Sequence, residues 1–186
     1  MKKSVLLVAL LAASVEVGVH VGGVSAQEVH PFQLSLVTPI QVFPETDGVS
    51  GVRLSLLYGR NTTLTGLDVG LVSHTTQEFL GFQIGVVGFA EGTFTGVQDN
   101  LLVNRVAGSF EGLQWGLVNS ADAGRGGQVG MVNHSLNYRG LQFGLVNYAE
   151  TIDGVQIGLL NIIKRGGKFP AMIIVNWGSD GGMRNE

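Results

Sequence analysis

The 186-residue chain is long enough to bury a continuous core as one domain, and its 29 glycines, 4 prolines and 45% hydrophobic residues argue against disorder. Its formal net charge is −3 and no basic run exceeds Lys164-Arg165, which excludes nucleic acid as a partner because no cationic stripe could neutralise phosphates. The absence of cysteine excludes disulfides, thiolate catalysis, thiolate metal sites and a lipid-modified cysteine.

Residues 1–26 have the pattern of a signal peptide. Lys2 and Lys3 give a positive start, Val5 to Ala13 is an unbroken apolar run, and Val24 to Ala26 offers small residues at a cleavage point. The apolar run is too short to span a membrane. The sequence therefore predicts export, with residues 27–48 forming an N-terminal cap strand of the mature chain.

One eight-residue unit dominates residues 49–178, and a polar tail follows at 179–186. Its clearest copies are GLQWGLVN at 112–119, GLQFGLVN at 140–147 and GVQIGLLN at 154–161. We number its residues as positions 1 to 8. Nine units, spaced by 14 to 16 residues, begin at Gly51, Gly66, Gly81, Gly96, Gly112, Gly126, Gly140, Gly154 and Phe169. A repeat of this kind indicates one repeat domain.

Side chains alternate with a period of two inside each unit. Leu113, Trp115 and Leu117 share one side of the chain and Gln114 lies on the other. This alternation predicts a β-strand. We interpret the apolar side as the packed core and the glutamine side as an outward row facing water.

Two positions carry amides that recur from unit to unit. In stacked coils each would lie about 4.8 Å from its copies, a distance that suits amide ladders. We therefore expect structural ladders, and on the face assignment above Leu145→Asp would unfold the protein while Gln142→Lys would be mild. The asparagines are Asn104, Asn119, Asn133, Asn147, Asn161 and Asn176, and the glutamines are Gln83, Gln98, Gln114, Gln128, Gln142 and Gln156.

Two all-β architectures fit a repeat of one strand and one turn. We predict a parallel β-solenoid of about nine coils of 14–16 residues, because translating a single-strand unit makes parallel neighbours. The alternative is a ten-stranded up-and-down β-barrel. The apolar positions of one unit cover only about 14 Å, less than the roughly 25 Å band of an outer-membrane barrel. Phe32 to Pro44 and the copy containing Pro170 are the expected caps.

The repeat resembles a bacterial family of surface repeat-containing proteins described in spirochaetes. The matching features are the GLQxGLVN unit, the segment 49–61 and the segment 169–177, and the resemblance extends from about Phe32 to Gly178. It implies an exported, surface-associated protein. Some relatives are lipoproteins, which this cysteine-free chain does not match.

The histidines of the mature chain do not predict a metal site. His30 precedes the repeats, and His74 and His134 follow unit ends. The last two are four units apart, about 19 Å in a solenoid, too far to share an ion. We interpret all three as surface residues and predict neither a metal nor a cofactor.

One insertion carries the only candidate for catalysis. Asp99 lies in a unit with one extra residue, and Asp68 or Glu111 would lie one or two coils away. A carboxylate pair could cleave a polysaccharide, but a one-residue bulge explains the insertion equally well. The glycines of 124–127 lack the Lys-Ser/Thr of a phosphate-binding loop and are interpreted as a turn.

These patterns predict an exported, non-enzymatic repeat protein with a structural or recognition role. Its expected location is the cell surface, the outer membrane or the periplasm. The alternatives are a small outer-membrane β-barrel protein and, less favoured, a solenoid enzyme acting on polysaccharides.

Overall fold

The computed structural model describes residues 27–179, so the predicted signal peptide and residues 180–186 of the polar tail lie outside the described residues. Six strands form one sheet system in the order β2-β1-β3-β4-β5-β6. They are β1 (Val29–Val37), β2 (Ile40–Gln41), β3 (Gly48–Ala90), β4 (Thr93–Trp115), β5 (Val118–Arg165) and β6 (Ala171–Gly178). No helix within residues 27–179 is long and apolar enough to cross a membrane.

The chain forms a parallel β-solenoid. β3 pairs in parallel with β4, with Phe79 beside Phe94, and β4 pairs in parallel with β5, with Asn104 beside Asn119. The partners are one repeat apart, so each long strand winds through successive coils. The parallel pairing confirms the predicted solenoid and rules out the antiparallel barrel.

The solenoid has eight coils, with about seven full turns between the first corner and the last, fewer than the nine coils expected. Eight glycines with positive φ mark the corresponding corner of successive coils, from Gly51 to Gly154. The ninth unit does not continue the winding, because β6 runs antiparallel to β5, with Val155 beside Trp177 and Ile162 beside Ala171. β1, the eight coils and β6 therefore make ten stacked layers.

Both ends of the stack are covered by strands that do not follow the repeat. β1 pairs in parallel with the start of β3, with Leu34 beside Leu54, and antiparallel with the short β2. At the other end, the antiparallel β6 covers the last coil. Irregular end strands of this kind hinder edge-to-edge growth of a sheet.

The glycines at position 1 permit the close approach of successive coils. Their φ angles lie between 123° and 155°, where side chains are strongly disfavoured. A Cβ on Gly140 would also collide with the carbonyl oxygen of Gly126 in the coil before it. The same collision recurs along the whole column, so both the backbone angle and the space require glycine.

Two apolar columns form the hydrophobic core on the return segments, which we define as the residues between position 8 of one unit and position 1 of the next. One lies two residues before each glycine and includes the Phe79 and Phe94 rings, which stack with centroids 4.3 Å apart. The other lies two residues after position 8 and consists mainly of small residues, such as Ala121 and Ala149. The coil is narrow, so one large and one small side chain per turn fill it.

The predicted assignment of the two strand sides was wrong. Gln142 is fully buried, whereas Leu145 is 45% exposed. The return segment closes over the glutamine side because it offers polar partners there: Gln142 Nε2 donates to the Ser135 hydroxyl at 3.1 Å and to the Tyr148 carbonyl at 3.4 Å. Period-two alternation shows that two sides differ, but not which of them the chain covers.

The glycine column generates a test with a matched control. We expect Gly140→Ala to lower the free energy of unfolding by about 2 kcal/mol or more, because the new Cβ meets both a positive φ and a backbone oxygen. Gly127→Ala in the preceding coil would meet only Leu113 Cδ1, at 3.0 Å, and should change stability by less than about 1 kcal/mol. Urea unfolding measures both, and equal effects would contradict the role of the column.

Candidate functional site

The buried glutamines form one continuous hydrogen-bonded row. Each Nε2 donates to the Oε1 of the glutamine one coil earlier, at 2.7 to 3.0 Å, from Gln156 through Gln142, Gln128, Gln114 and Gln98 to Gln83. All six side chains are fully buried. The structure thus joins all the glutamines of the predicted ladder, on the inside of the coil rather than in an outward row.

The asparagines form a second buried row. Each Nδ2 donates at 2.8 Å to the Oδ1 of the asparagine one coil later, through Asn104, Asn119, Asn133, Asn147 and Asn161. Asn133 Nδ2 also donates to the Phe143 carbonyl at 2.9 Å, and so satisfies a backbone acceptor at the turn. Asn176 lies in β6 outside this side-chain row, and its Nδ2 donates to the carbonyls of Asn161 and Phe169.

The two rows donate in opposite directions along the solenoid axis. The glutamine amides donate toward the N-terminal end and the asparagine amides toward the C-terminal end. Aligned amide dipoles add along an axis, so opposed rows offset one another. Asn100, from the unit with the extra residue, links the rows, because its Nδ2 donates to Gln83 Oε1 at 3.0 Å and to Asn104 Oδ1 at 2.7 Å.

An ion pair terminates the glutamine row. Asp68 and Arg53 occupy position 3 in the two units before Gln83, and both are fully buried. Gln83 Nε2 donates to Asp68 Oδ2 at 2.9 Å, and Arg53 binds the two Asp68 oxygens at 2.8 and 2.7 Å. Sequence reasoning missed this pair. Its signal was two opposite charges in successive units at the position glutamine fills elsewhere.

The insertion does not build a carboxylate pair with Asp68. Asp99 lies at position 4 on the outward side of the coil, while Asp68 faces inward and binds Arg53. Glu111 lines a separate polar groove together with Arg125, which Asp99 does not line. The geometry therefore gives no support to polysaccharide cleavage at Asp99.

The polar groove has a volume of about 500 Å³. Gly124 lies in the core column that elsewhere carries the large side chains, two residues before Gly126. A Cβ on Gly124 would meet the Tyr138 ring of the next coil at 2.6 Å. The Tyr138 hydroxyl is buried and has no hydrogen-bond partner among the described residues. Burial raises the pKa of the Tyr138 phenol above its usual range.

The structure separates the three histidines. Tyr58 contacts His74 Nδ1 at 2.8 Å and Glu91 contacts its Nε2 at 2.8 Å, whereas His134 stacks on Tyr148. In the N-terminal end layer, His30 stacks on Phe43 with centroids 3.7 Å apart, and its Nε2 lies 2.9 Å from Asp47 Oδ2. Glu28 approaches the same nitrogen at 3.9 Å.

Sequence reasoning also missed this group of Glu28, His30 and Asp47, whose ligating atoms lie within 4.8 Å of one another. No repeat pattern relates the three positions, so only the folded end layer brings them together. The contact between His30 and Asp47 connects β1 to the loop before β3. We interpret the group as a structural contact that holds the end layer in place.

The largest feature of the surface is an outer apolar face, which we define as the side chains at positions 2, 4, 6 and 7 of the eight coils. Of these 32 positions, Asp99 is the only charged residue. Five of the side chains are more than half exposed: Leu56 64%, Leu101 65%, Trp115 56%, Phe143 52% and Leu159 69%. β1 and β6 extend the face with Leu34 and Trp177, which are 48% and 46% exposed.

The outer apolar face is not uniform along its length. Over its N-terminal half a furrow of about 750 Å³ runs between Leu34, Leu54, Leu71 and Ile84. Trp115 and Phe143 lie in the C-terminal half and outside this furrow. The face thus combines a half with a shallow furrow and a half that carries its most exposed aromatic side chains, Trp115 and Phe143.

Most exposed charged side chains lie on the return segments and loops instead, and several of them pair with one another. Four such pairs are Arg60–Glu45 at 3.4 Å, Arg105–Asp122 at 2.7 Å, Arg139–Asp153 at 3.1 Å and Arg165–Glu150 at 3.7 Å. Exposed pairs of this kind add about 0–1 kcal/mol each. Their effect is to make the return side polar and nearly neutral, opposite a side that is almost wholly apolar.

The buried rows predict that inner and outer substitutions differ sharply. We expect Gln142→Lys to lower the free energy of unfolding by about 3 kcal/mol or more, because it buries a charge and breaks hydrogen bonds to both neighbouring glutamines. Leu145→Lys should change it by no more than about 0.5 kcal/mol, since that side chain faces outward. Urea unfolding at sub-micromolar protein reports on the single chain, and the reverse ranking would contradict the observed sides.

The ion pair predicts a rescue by a second substitution. Arg53→Gln alone should cost about 3–5 kcal/mol, because the Asp68 carboxylate loses both guanidinium contacts while buried. Arg53→Gln combined with Asp68→Gln would extend the glutamine row by two members and restore most of the loss. A double-mutant cycle by urea unfolding measures the coupling, and simple additivity would count against this account.

The chain matches no protein-family model, and no curated protein or solved structure matches it.

Proposed function

We propose that the protein is an exported, non-enzymatic repeat protein of the cell surface, with a structural or recognition role performed by its outer apolar face. The export signal predicted in residues 1–26 and the resemblance to surface repeat proteins support the location. The observation that carries the role is the outer apolar face itself, because no requirement of the core explains outward apolar residues in every coil.

The size of the face supports a binding role. Ten layers about 4.8 Å apart give a height of about 43 Å, and positions 2 to 7 give a width of about 17 Å, so the face covers roughly 700 Å². The largest apolar patch of a typical monomer is about 300–600 Å² and is often functional. A face of this size and regularity is typical of an interaction surface.

The use of the polar residues supports a non-enzymatic role. Across residues 27–179, the amides of the glutamine row hydrogen-bond to other glutamines, and those of the asparagine row to other asparagines. Asp68 is neutralised by Arg53. Catalytic groups need access to substrate and a partner poised for proton transfer. These buried rows offer neither, and their role is to align successive coils.

Cell fractionation with a three-site variant tests this proposal. Leu56→Thr, Leu101→Thr and Leu159→Thr together remove three of the most exposed side chains of the face while keeping strand-forming residues. We expect the fraction of protein in the cell envelope to fall about tenfold or more, because buried leucines contribute about 1.5–3 kcal/mol each. Immunoblots of envelope and soluble fractions measure it.

The matched control replaces three exposed residues of the return side: Glu91→Thr, Arg139→Thr and Arg165→Thr. This variant should stay with the envelope like the unmodified protein. An unmodified protein found in the cytoplasm would refute export. Equal envelope association of both variants would refute the role of the face.

A further inference from the structure

We infer that the partner of the outer apolar face is a second copy of the same chain, packed face to face about a two-fold axis parallel to the strands. This inference rests on the proposed function, since it names the occupant of the surface that function uses. The envelope then retains the paired form through its other surfaces, and a single chain, with half as many contacts, is retained more weakly. Area, shape and the placement of one charge support it.

The area of the face suits a stable dimer. Specific protein interfaces bury about 800 Å² on each partner, close to the roughly 700 Å² of this face. Parallel coils also give each copy rows of side chains repeated every ~4.8 Å, and two sheets with such rows stack about 10 Å apart. The end layers leave the face, rather than the sheet edges, as the surface for association.

The two halves of the face are complementary to each other. An axis parallel to the strands and through the middle of the stack brings the first layer of one copy opposite the last layer of the other. Phe143, in the third layer from the C-terminal end, then lies opposite the coil of Val69 and Leu71 in the furrow. Such isologous pairing, in which each half meets the other, is the rule for two-fold dimers.

The single charge of the face selects this orientation. Asp99 and Trp115 occupy position 4 in the two middle coils, so this axis brings each Asp99 opposite Trp115 of the second copy. The indole N–H is a donor that a buried carboxylate needs. A two-fold axis along the solenoid would instead bring the two Asp99 carboxylates opposite each other, which is unfavourable at close range.

A lipid surface fits the same face less well. Asp99 would enter the hydrocarbon near the centre of the contact without a donor, and carboxylates are costly there. Attraction to anionic lipids also needs unpaired cations beside the apolar surface. Here Arg105 and Arg139 pair with Asp122 and Asp153, and the net charge of the chain is −3.

Sedimentation equilibrium of the purified protein tests the inference. We expect twice the chain mass at micromolar concentration, and at least a hundredfold weaker association for Phe143→Lys, which introduces an unpaired charge opposite the furrow. Arg139→Thr on the return side should leave association unchanged. Circular dichroism and the melting curve of dilute Phe143→Lys must match those of the unmodified protein, which separates dissociation from unfolding.

Crosslinking tests the orientation, and the lack of cysteine in the chain makes single-cysteine variants straightforward. Leu101→Cys mixed with Leu117→Cys should give a high yield with a short bismaleimide, because the axis brings these middle coils together. Leu101→Cys mixed with Leu159→Cys should give little, since Leu159 lies three layers, about 14 Å, from the layer that faces Leu101. The opposite yields would overturn the proposed orientation.

Two further outcomes would overturn the inference as a whole. One is an unmodified protein that stays monomeric at tens of micromolar, and the other is a monomer that floats with phosphatidylcholine vesicles. If the protein is monomeric but the three-leucine variant leaves the envelope, the second copy is refuted while the proposed function stands. If that variant also stays in the envelope, both are refuted.

Discussion

The stacking of side-chain amides inside the coil is the constraint on which the rest of the structure depends. A glutamine can bond to its copy one turn away only if the turns lie about 4.8 Å apart and in register, and a buried amide left without partners costs about 1–3 kcal/mol. Each turn must therefore repeat the last one closely. The glycine column serves the same end, because any Cβ at Gly126 or Gly140 would hold the coils apart. The small alanines of the second core column keep the interior narrow enough for the rows to meet.

The last donor and the last acceptor of a hydrogen-bonded row each need a partner from outside the row. The two ends of the glutamine row differ in this respect. At the N-terminal end, the Asp68 carboxylate accepts the last amide hydrogen and Arg53 neutralises its charge. At the C-terminal end, Gln156 Oε1 has no partner among the described residues, and the antiparallel β6 covers it from solvent. The asparagine row donates in the opposite direction, so the amide dipoles of the two rows offset one another. The winding thus stops at both ends without an exposed amide row that could recruit more chain.

The polar interior has a consequence for the outside. Every strand must place one side inward, and here mainly amides and glycines take that side, because they fit and bond at the spacing of the coils. The leucines, valines and aromatics of the repeat are left to face outward, where Leu101 and Leu159 are about two-thirds exposed. The same alternation that builds the rows therefore builds a face of roughly 700 Å² with Asp99 as its only charge. Folding and association are in this way encoded by one eight-residue unit.

The sequence by itself determined the repeat, the strand character of its units and most of the amides that form rows, because each depends on spacing along the chain. It favoured parallel stacking but left an antiparallel barrel open, and the pairing of β3 with β4 and of β4 with β5 decided between them. Only the tertiary structure decided which strand side is covered, because the return segments that supply Ser135 and the Tyr148 carbonyl to Gln142 choose the amide side. It also decided that Arg53 meets Asp68, that Glu28, His30 and Asp47 converge, and that the last unit reverses direction into β6. Those contacts join positions that no periodic pattern relates, and they form where the repeat ends or varies and the chain must satisfy its polar groups by other means.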